Sequence, residues 1–137
     1  MKVAYEAHHG QTDRSGVPYI FHPFYVAEQM DDELSTCTAL LHDVVEDTEI
    51  SFEDLAREFP EEVVEALHFL TRDKSMNYFD YIRNLRKNLI AKKVKQADLL
   101  HNSDVTRLAD CENISDRQIS RLQGRYRRAL EILSEST

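Results

Sequence analysis

Residues that break regular backbone are scarce in this chain, and most of them sit at one end. Its 137 residues include only three Gly and three Pro. Gly10, Gly16, Pro18 and Pro23 fall within one short stretch, which leaves Pro60 and Gly124 for everything that follows. A β-sandwich or barrel needs a turn roughly every 8–12 residues, commonly built on such residues. This chain cannot supply them, so it is expected to fold as helices. A hydrophobic fraction of 42% beside 31% charged residues is that of a globular protein, not a disordered one.

The early cluster of Gly and Pro predicts an ordered loop over 10–19 after a short first helix. Gly10 suits a left-handed helix stop. Pro23 suits the first turn of the next helix, where its missing N–H is harmless, and this places His22 at or beside the helix start. Downstream the apolar spacing is helical. Asp31, Asp32 and Glu33 lead into a helix carrying Cys37 to about Glu46, with acids at its positive end. Ser51 with Asp54 resembles a capping box that opens a short helix ending near Phe59-Pro60. Val63, Val64, Leu67 and Leu70 form a core stripe; Tyr78, Ile82, Leu85 and Leu89 form the next, followed by Val94, Ala97 and Leu100-His101. A last helix carries Ile119, Leu122, Tyr126, Leu130 and Leu133. There is no repeat and no linker. The expected fold is all-α, a compact single-domain bundle of about six to eight helices over 1–137.

Charge narrows the partners. Lys and Arg number 17 against 25 Asp and Glu, a formal charge of −8. Such a surface repels nucleic acid and anionic membranes, so neither is expected as a partner. A small anionic ligand needs basic groups or a metal ion placed locally. No apolar run approaches the ~18–20 residues of a membrane span, and the first residues, Met1 to Glu6, lack a signal-peptide core. Cys37 and Cys111 form no CxxC pair and no disulfide framework, which points to a reducing cytoplasm. A monomer and a dimer burying one helix face are both compatible with this length.

Polar residues interrupt the core pattern in three places. In Ala39-Leu40-Leu41-His42-Asp43-Val44-Val45-Glu46-Asp47-Thr48, the residues His42, Asp43, Glu46 and Asp47 stand at i, i+1, i+4 and i+5, one strip of a helix. Either that strip faces water, or its crowded carboxylates sit beside a divalent cation that holds them ionised. Asp98 is an acid inside an apolar stretch, with His101 and Asn102 at i+3 and i+4. His22 lies between Phe21 and Pro23-Phe24. Three separated cases of this kind suggest residues converging on one site.

The order His22, His42-Asp43, Asp98 resembles the H…HD…D signature of HD-domain metal phosphohydrolases. The surrounding words are more specific. Tyr5 to Gln11 (YEAHHGQ), Gly16 to Pro23 (GVPYIFHP), Leu40 to Thr48 (LLHDVVEDT) and Lys95 to Asn102 (KQADLLHN) are similar to the hydrolase domain of the RelA/SpoT family, and the likeness runs from about Tyr5 to Leu108. The chain is too short to hold that family's synthetase domain as well, so a small stand-alone alarmone hydrolase is expected. The resemblance implies His22, His42, Asp43 and Asp98 as ligands of a divalent metal, Mn2+ in that family. It implies Glu46 and Asp47 as the catalytic acids that orient or activate water. The implied reaction is hydrolysis of guanosine 3′,5′-bis(diphosphate), or the pentaphosphate, at the 3′ ester to give GDP or GTP and pyrophosphate. Arg14 is the candidate phosphate or base contact, and Asn102 is expected on ribose or phosphate. Tyr126 fits either stacking on the base or the core stripe. The family often carries two basic residues before Ser-Gly, whereas this chain reads Asp13-Arg14-Ser15-Gly16. Another nucleotide with a 2′- or 3′-phosphate, or slow nucleotide-binding regulation, is the alternative. Lys92, Lys93 and Lys95 read as a solvated helix face, His8, His9 and His68 as non-ligands, and His101 as either an outer partner of the site or a packed histidine.

Overall fold

The computed structural model describes residues 1–13, 16–104 and 115–135. Those residues form helices α1 (Lys2–Ala7), α2 (Phe21–Glu28), α3 (Glu33–Leu41), α4 (Val44–Asp47), α5 (Phe52–Glu58), α6 (Glu61–Leu70), α7 (Tyr78–Leu85), α8 (Leu89–Asn102) and α9 (Asp116–Ser134). The all-α bundle expected from the sequence is the fold observed. Its caps follow the sequence closely. Asp32 accepts the Ser35 N–H at 2.7 Å to start α3, the Ser51/Asp54 capping box opens α5, and a Ser115/Gln118 box opens α9.

Helix α3 lies at the centre, packed against α1, α2, α6 and α8. On one side a core of Val26, Ala39, Leu70, Ile82, Leu85, Val94, Leu99, Ile132 and Leu133 ties α2, α3, α6, α7, α8 and α9 together. On the other, Ala4, Leu41, Val44, Leu55, Val63 and Leu67 join α1 and α5 to the centre. Leu40 packs against both. The loop between α1 and α2 is closed by an isolated bridge between Thr12 and Pro18. Asp13 Oδ1 accepts the Val17 N–H at 3.0 Å there, and Gly16 takes φ +85°, a value that disfavours other residues.

Three helix readings change. The helix expected over 37–46 is broken: α3 ends at Leu41, and Asp43, at φ −107° and ψ 2°, is not helical. The cause is local. The Ala39 carbonyl, which would accept from Asp43 in a continuous helix, instead lies 2.6 Å from His42 Nδ1. Leu89 is not the end of the α7 stripe; it opens α8 and is 81% exposed. Leu100 also faces out, and Leu99 fills the core in its place. Cys37 is half-buried as a free thiol; Cys111 lies outside the described residues. No helix among the described residues is long and apolar enough to cross a membrane.

Candidate metal and catalytic site

The break after α3, the start of α2 and the last turns of α8 meet at one point. His22 on α2, His42 at the end of α3 and Asp98 on α8 are all buried, at 5%, 3% and 4% exposure. One ligand atom from each lies within 4.8 Å of the others. Residues 76 positions apart touch here: His22 Nε2 is 2.7 Å from Asp98 Oδ1. His42 Nε2 is 3.4 Å from the same oxygen and 3.0 Å from Asp43 Oδ2. Asp43 thus adjoins the cluster through His42. The helix break is what permits this, since a non-helical Asp43 can turn toward its neighbour.

The donor set fits a cation. An Ala39 carbonyl can only accept, so His42 Nδ1 carries the proton of that 2.6 Å contact. In the neutral ring Nε2 is then a buried lone pair with no hydrogen-bond partner, facing two carboxylate oxygens. Acceptors gathered in this way repel one another unless positive charge stands among them. The surrounding carboxylates also favour positive charge at this point. Burial disfavours the charged form of His42, yet Asp43 and Asp98 outweigh it and hold its pKa well above the usual value. Burial also opposes ionisation of Asp98, but Lys95, His22 and His42 hold its carboxyl well below the usual range. Asp43 is likewise low despite burial, held ionised by His42 and by the Tyr19 hydroxyl, which donates to Oδ2.

Glu46 and Asp47 sit exposed on the short helix α4, near enough for the charge of Asp43 to act on both; this exposed edge is termed the mouth, and His22, His42, Asp43 and Asp98 the floor. Glu46 Oε1 accepts the Arg72 backbone N–H. Local desolvation raises both pKa values, and the charge of Asp43 adds to the rise. Gln11 reaches from the α1–α2 loop to donate to the Asp47 carbonyl at 2.9 Å.

Of the expected substrate contacts, Asn102 donates to Asp98 Oδ1 at 3.1 Å, Tyr126 packs half-buried against the core, and Arg14 lies outside the described residues. Several neighbours of the site were missed or misread. Lys95 is not a solvated lysine: its Nζ lies 2.9 Å from Asp98 Oδ2 and its side chain is 15% exposed. Its place three residues before Asp98 was the available signal. His8, read as a non-ligand, is buried, and its partner is Gln11, whose Oε1 lies 2.9 Å from Nδ1. His101 proves to be an outer partner of the site. Its Nδ1 is 2.7 Å from His22 Nδ1, and its ring stacks on Tyr25 with centroids 4.0 Å apart. Nothing in the sequence marked Tyr19.

The HD domain family profile matches residues 1–109. The chain belongs to the HD-domain family. HD domains bind divalent metals, and in this HD domain the His22, His42 and Asp98 cluster is where one can be held. A Borreliella burgdorferi protein named guanosine-3′,5′-bis(diphosphate) 3′-pyrophosphohydrolase is 32% identical over 119 residues, covering 74% of this chain and 18% of the relative. The Escherichia coli K12 bifunctional (p)ppGpp synthase/hydrolase SpoT is 36% identical over 115 residues, covering 73% of this chain and 16% of the relative. The HD domain therefore spans under a fifth of the length of these curated relatives. A solved structure described as a metazoan ortholog of SpoT that hydrolyses ppGpp superposes with a TM-score of 0.86 at 27% identity, covering 99% of this chain and 84% of that one.

Proposed function

We propose that this HD domain, over 1–137, is a metal-dependent hydrolase of guanosine 3′,5′-bis(diphosphate) and its pentaphosphate relative, cleaving the 3′ ester to release pyrophosphate and GDP or GTP. The observation that carries the reading is the buried cluster of His22, His42 and Asp98, with Asp43 beside it, and a split among the four neighbouring carboxylates supports it. Asp43 and Asp98 are held ionised on the floor, while Glu46 and Asp47 at the mouth have raised pKa values. Acids pushed apart in this way suit separate tasks, charge binding for one pair and proton transfer for the other. The names borne by the relatives in Borreliella burgdorferi and Escherichia coli, and by the metazoan structure, supply the substrate class.

In this reading His22, His42, Asp43 and Asp98 hold the divalent ion, taken as manganese from the likeness to RelA/SpoT hydrolases. Bound there, such an ion polarises the phosphate ester and acidifies water. Glu46, with its carboxylate fixed by the Arg72 N–H, orients a water molecule and accepts its proton as the oxygen bonds to phosphorus. The glutamate–aspartate pair returns a proton to the departing 3′ oxygen. Arg14 contacts phosphate or base, Asn102 ribose or phosphate, and Tyr126 base or phosphate. Because the protein is acidic overall, the polyanionic substrate depends on these local groups.

Product analysis with guanosine bis(diphosphate) and manganese tests this directly. GDP and pyrophosphate are expected in equal amounts, and none when the ion is chelated. Absence of turnover with metal bound removes the substrate assignment. Turnover of another 2′- or 3′-phosphorylated nucleotide would then keep the site and change the substrate.

A further inference from the structure

Lys95 is a largely sequestered charge, 15% exposed, to which the chemistry above gives no task. Its Nζ lies 5.5 Å from the centroid of the Tyr81 ring, and Tyr81 is itself anchored by its hydroxyl, which donates to the Leu70 carbonyl at 2.5 Å. An ammonium in such a place needs an anionic partner. It donates to Asp98 Oδ2 at 2.9 Å. The other oxygen, Oδ1, has a different set of neighbours: His22 Nε2 at 2.7 Å, His42 Nε2 at 3.4 Å and the Asn102 amide at 3.1 Å. Each oxygen of Asp98 is thus committed to its own partners. Among the described residues, Lys95 is the one Lys or Arg ion-paired with a carboxylate of the site.

We propose that Lys95 is a positioning residue that makes Asp98 a one-oxygen ligand and sets the charge of the metal centre. By occupying Oδ2 it leaves only Oδ1 facing the two imidazoles, and its ammonium cancels one carboxylate charge. The proposal rests on the metal reading given above. Its consequence is selectivity. A carboxylate free to present both oxygens favours a large, oxygen-seeking ion such as Ca2+, whereas mixed nitrogen and oxygen ligands favour smaller transition ions. A carboxylate with no ammonium beside it also attracts any dication more strongly. Lys95 therefore holds the centre to the smaller ions and moderates its affinity.

Isothermal titration calorimetry of the full chain with Mn2+ and with Ca2+, beside circular dichroism to verify folding, tests this without any turnover assay. Lys95→Met is expected to shift the Ca2+/Mn2+ affinity ratio toward Ca2+ by about tenfold. Lys95→Arg, which keeps charge and donor, is expected to retain the wild-type ratio. An unchanged ratio in folded Lys95→Met overturns the proposal. Should that variant fail to fold, Lys95→Gln keeps a donor to Oδ2 without the charge. It is expected to bind both ions more tightly than wild type, and unchanged affinities overturn the proposal. A wild-type chain that binds neither ion overturns the metal reading, and this role with it, before any substitution is compared.

Discussion

The floor and the mouth of the site carry the same kind of side chain and treat it in opposite ways. Asp98, 4% exposed on the floor, is the most desolvated carboxylate of the group, yet its pKa is depressed. Glu46 and Asp47 at the mouth are exposed, yet theirs are raised. Burial alone would give the reverse order, because desolvation raises every carboxyl pKa. Counter-charge decides the outcome. Asp98 has Lys95, His22 and His42 in contact with it, whereas for Glu46 one backbone N–H and the attraction of Lys95 do not offset burial and the repulsion of Asp43 and Asp47. In the proposed function the floor holds charge and the mouth exchanges protons.

Removing a floor ligand should break this contrast outright. His42→Ala is expected to abolish metal binding, measured by calorimetry, and to reduce hydrolysis far beyond the about 10–100-fold that loss of an outer partner costs. Variants at the mouth should sharpen it instead. Glu46→Gln and Asp47→Asn are each expected to lower the rate by about 10²–10⁴-fold while still binding one equivalent of Mn2+. Loss of metal in either variant would place these acids on the floor and sink the division of roles.

How far the site could be read from the sequence follows the same division. His22, His42 and Asp98 stood out because a polar residue inside an apolar stretch is visible in one dimension, and the structure brings all three together. The capping box at Ser51 and the acidic start of α3 were legible because such signals are local. What the sequence hid depends on contacts across the chain or on competition within one turn. Tyr19 reaches Asp43 across 24 positions, and His101 reaches His22 across 79. The helix break at His42-Asp43 arises from a ring nitrogen competing for a backbone carbonyl, which leaves no trace in hydrophobic spacing. Lys95 was misread because it follows Lys92 and Lys93 in a run that looks like a solvated face, whereas its ion pair with Asp98 and its place beside the Tyr81 ring show otherwise.

Tyr19→Phe tests an intermediate case. The hydroxyl is the outer partner of Asp43, so its loss is expected to weaken Mn2+ binding by about tenfold while leaving the fold intact. Calorimetry at one pH with a thermal melt as control measures both. An unchanged affinity would mean that His42 alone orients Asp43.

The smallest effect is on stability, and its sign separates the two regions. The folded pKa of Glu46 lies above its ordinary value of 4.5, so the folded chain binds that proton more tightly than the unfolded chain does. Glu46 therefore costs stability as pH rises through its folded pKa, and costs nothing below its ordinary value, where it is protonated in both states. Glu46→Gln should raise the melting temperature at neutral pH and leave it unchanged near pH 4. Solvent screening at this exposed position limits the gain to about 0.5 kcal/mol or less. Asp43 and Asp98 run the other way. Their pKa values are depressed on folding, so their contribution is complete above the ordinary 3.8 and is lost as pH falls through the folded values, about 2 for Asp43. Melts of the metal-free protein from pH 7 down to pH 2 should therefore show Glu46→Gln and wild type converging first. The floor should fail only further down, and a gain in Glu46→Gln that persists at low pH would show that packing, not charge, accounts for it.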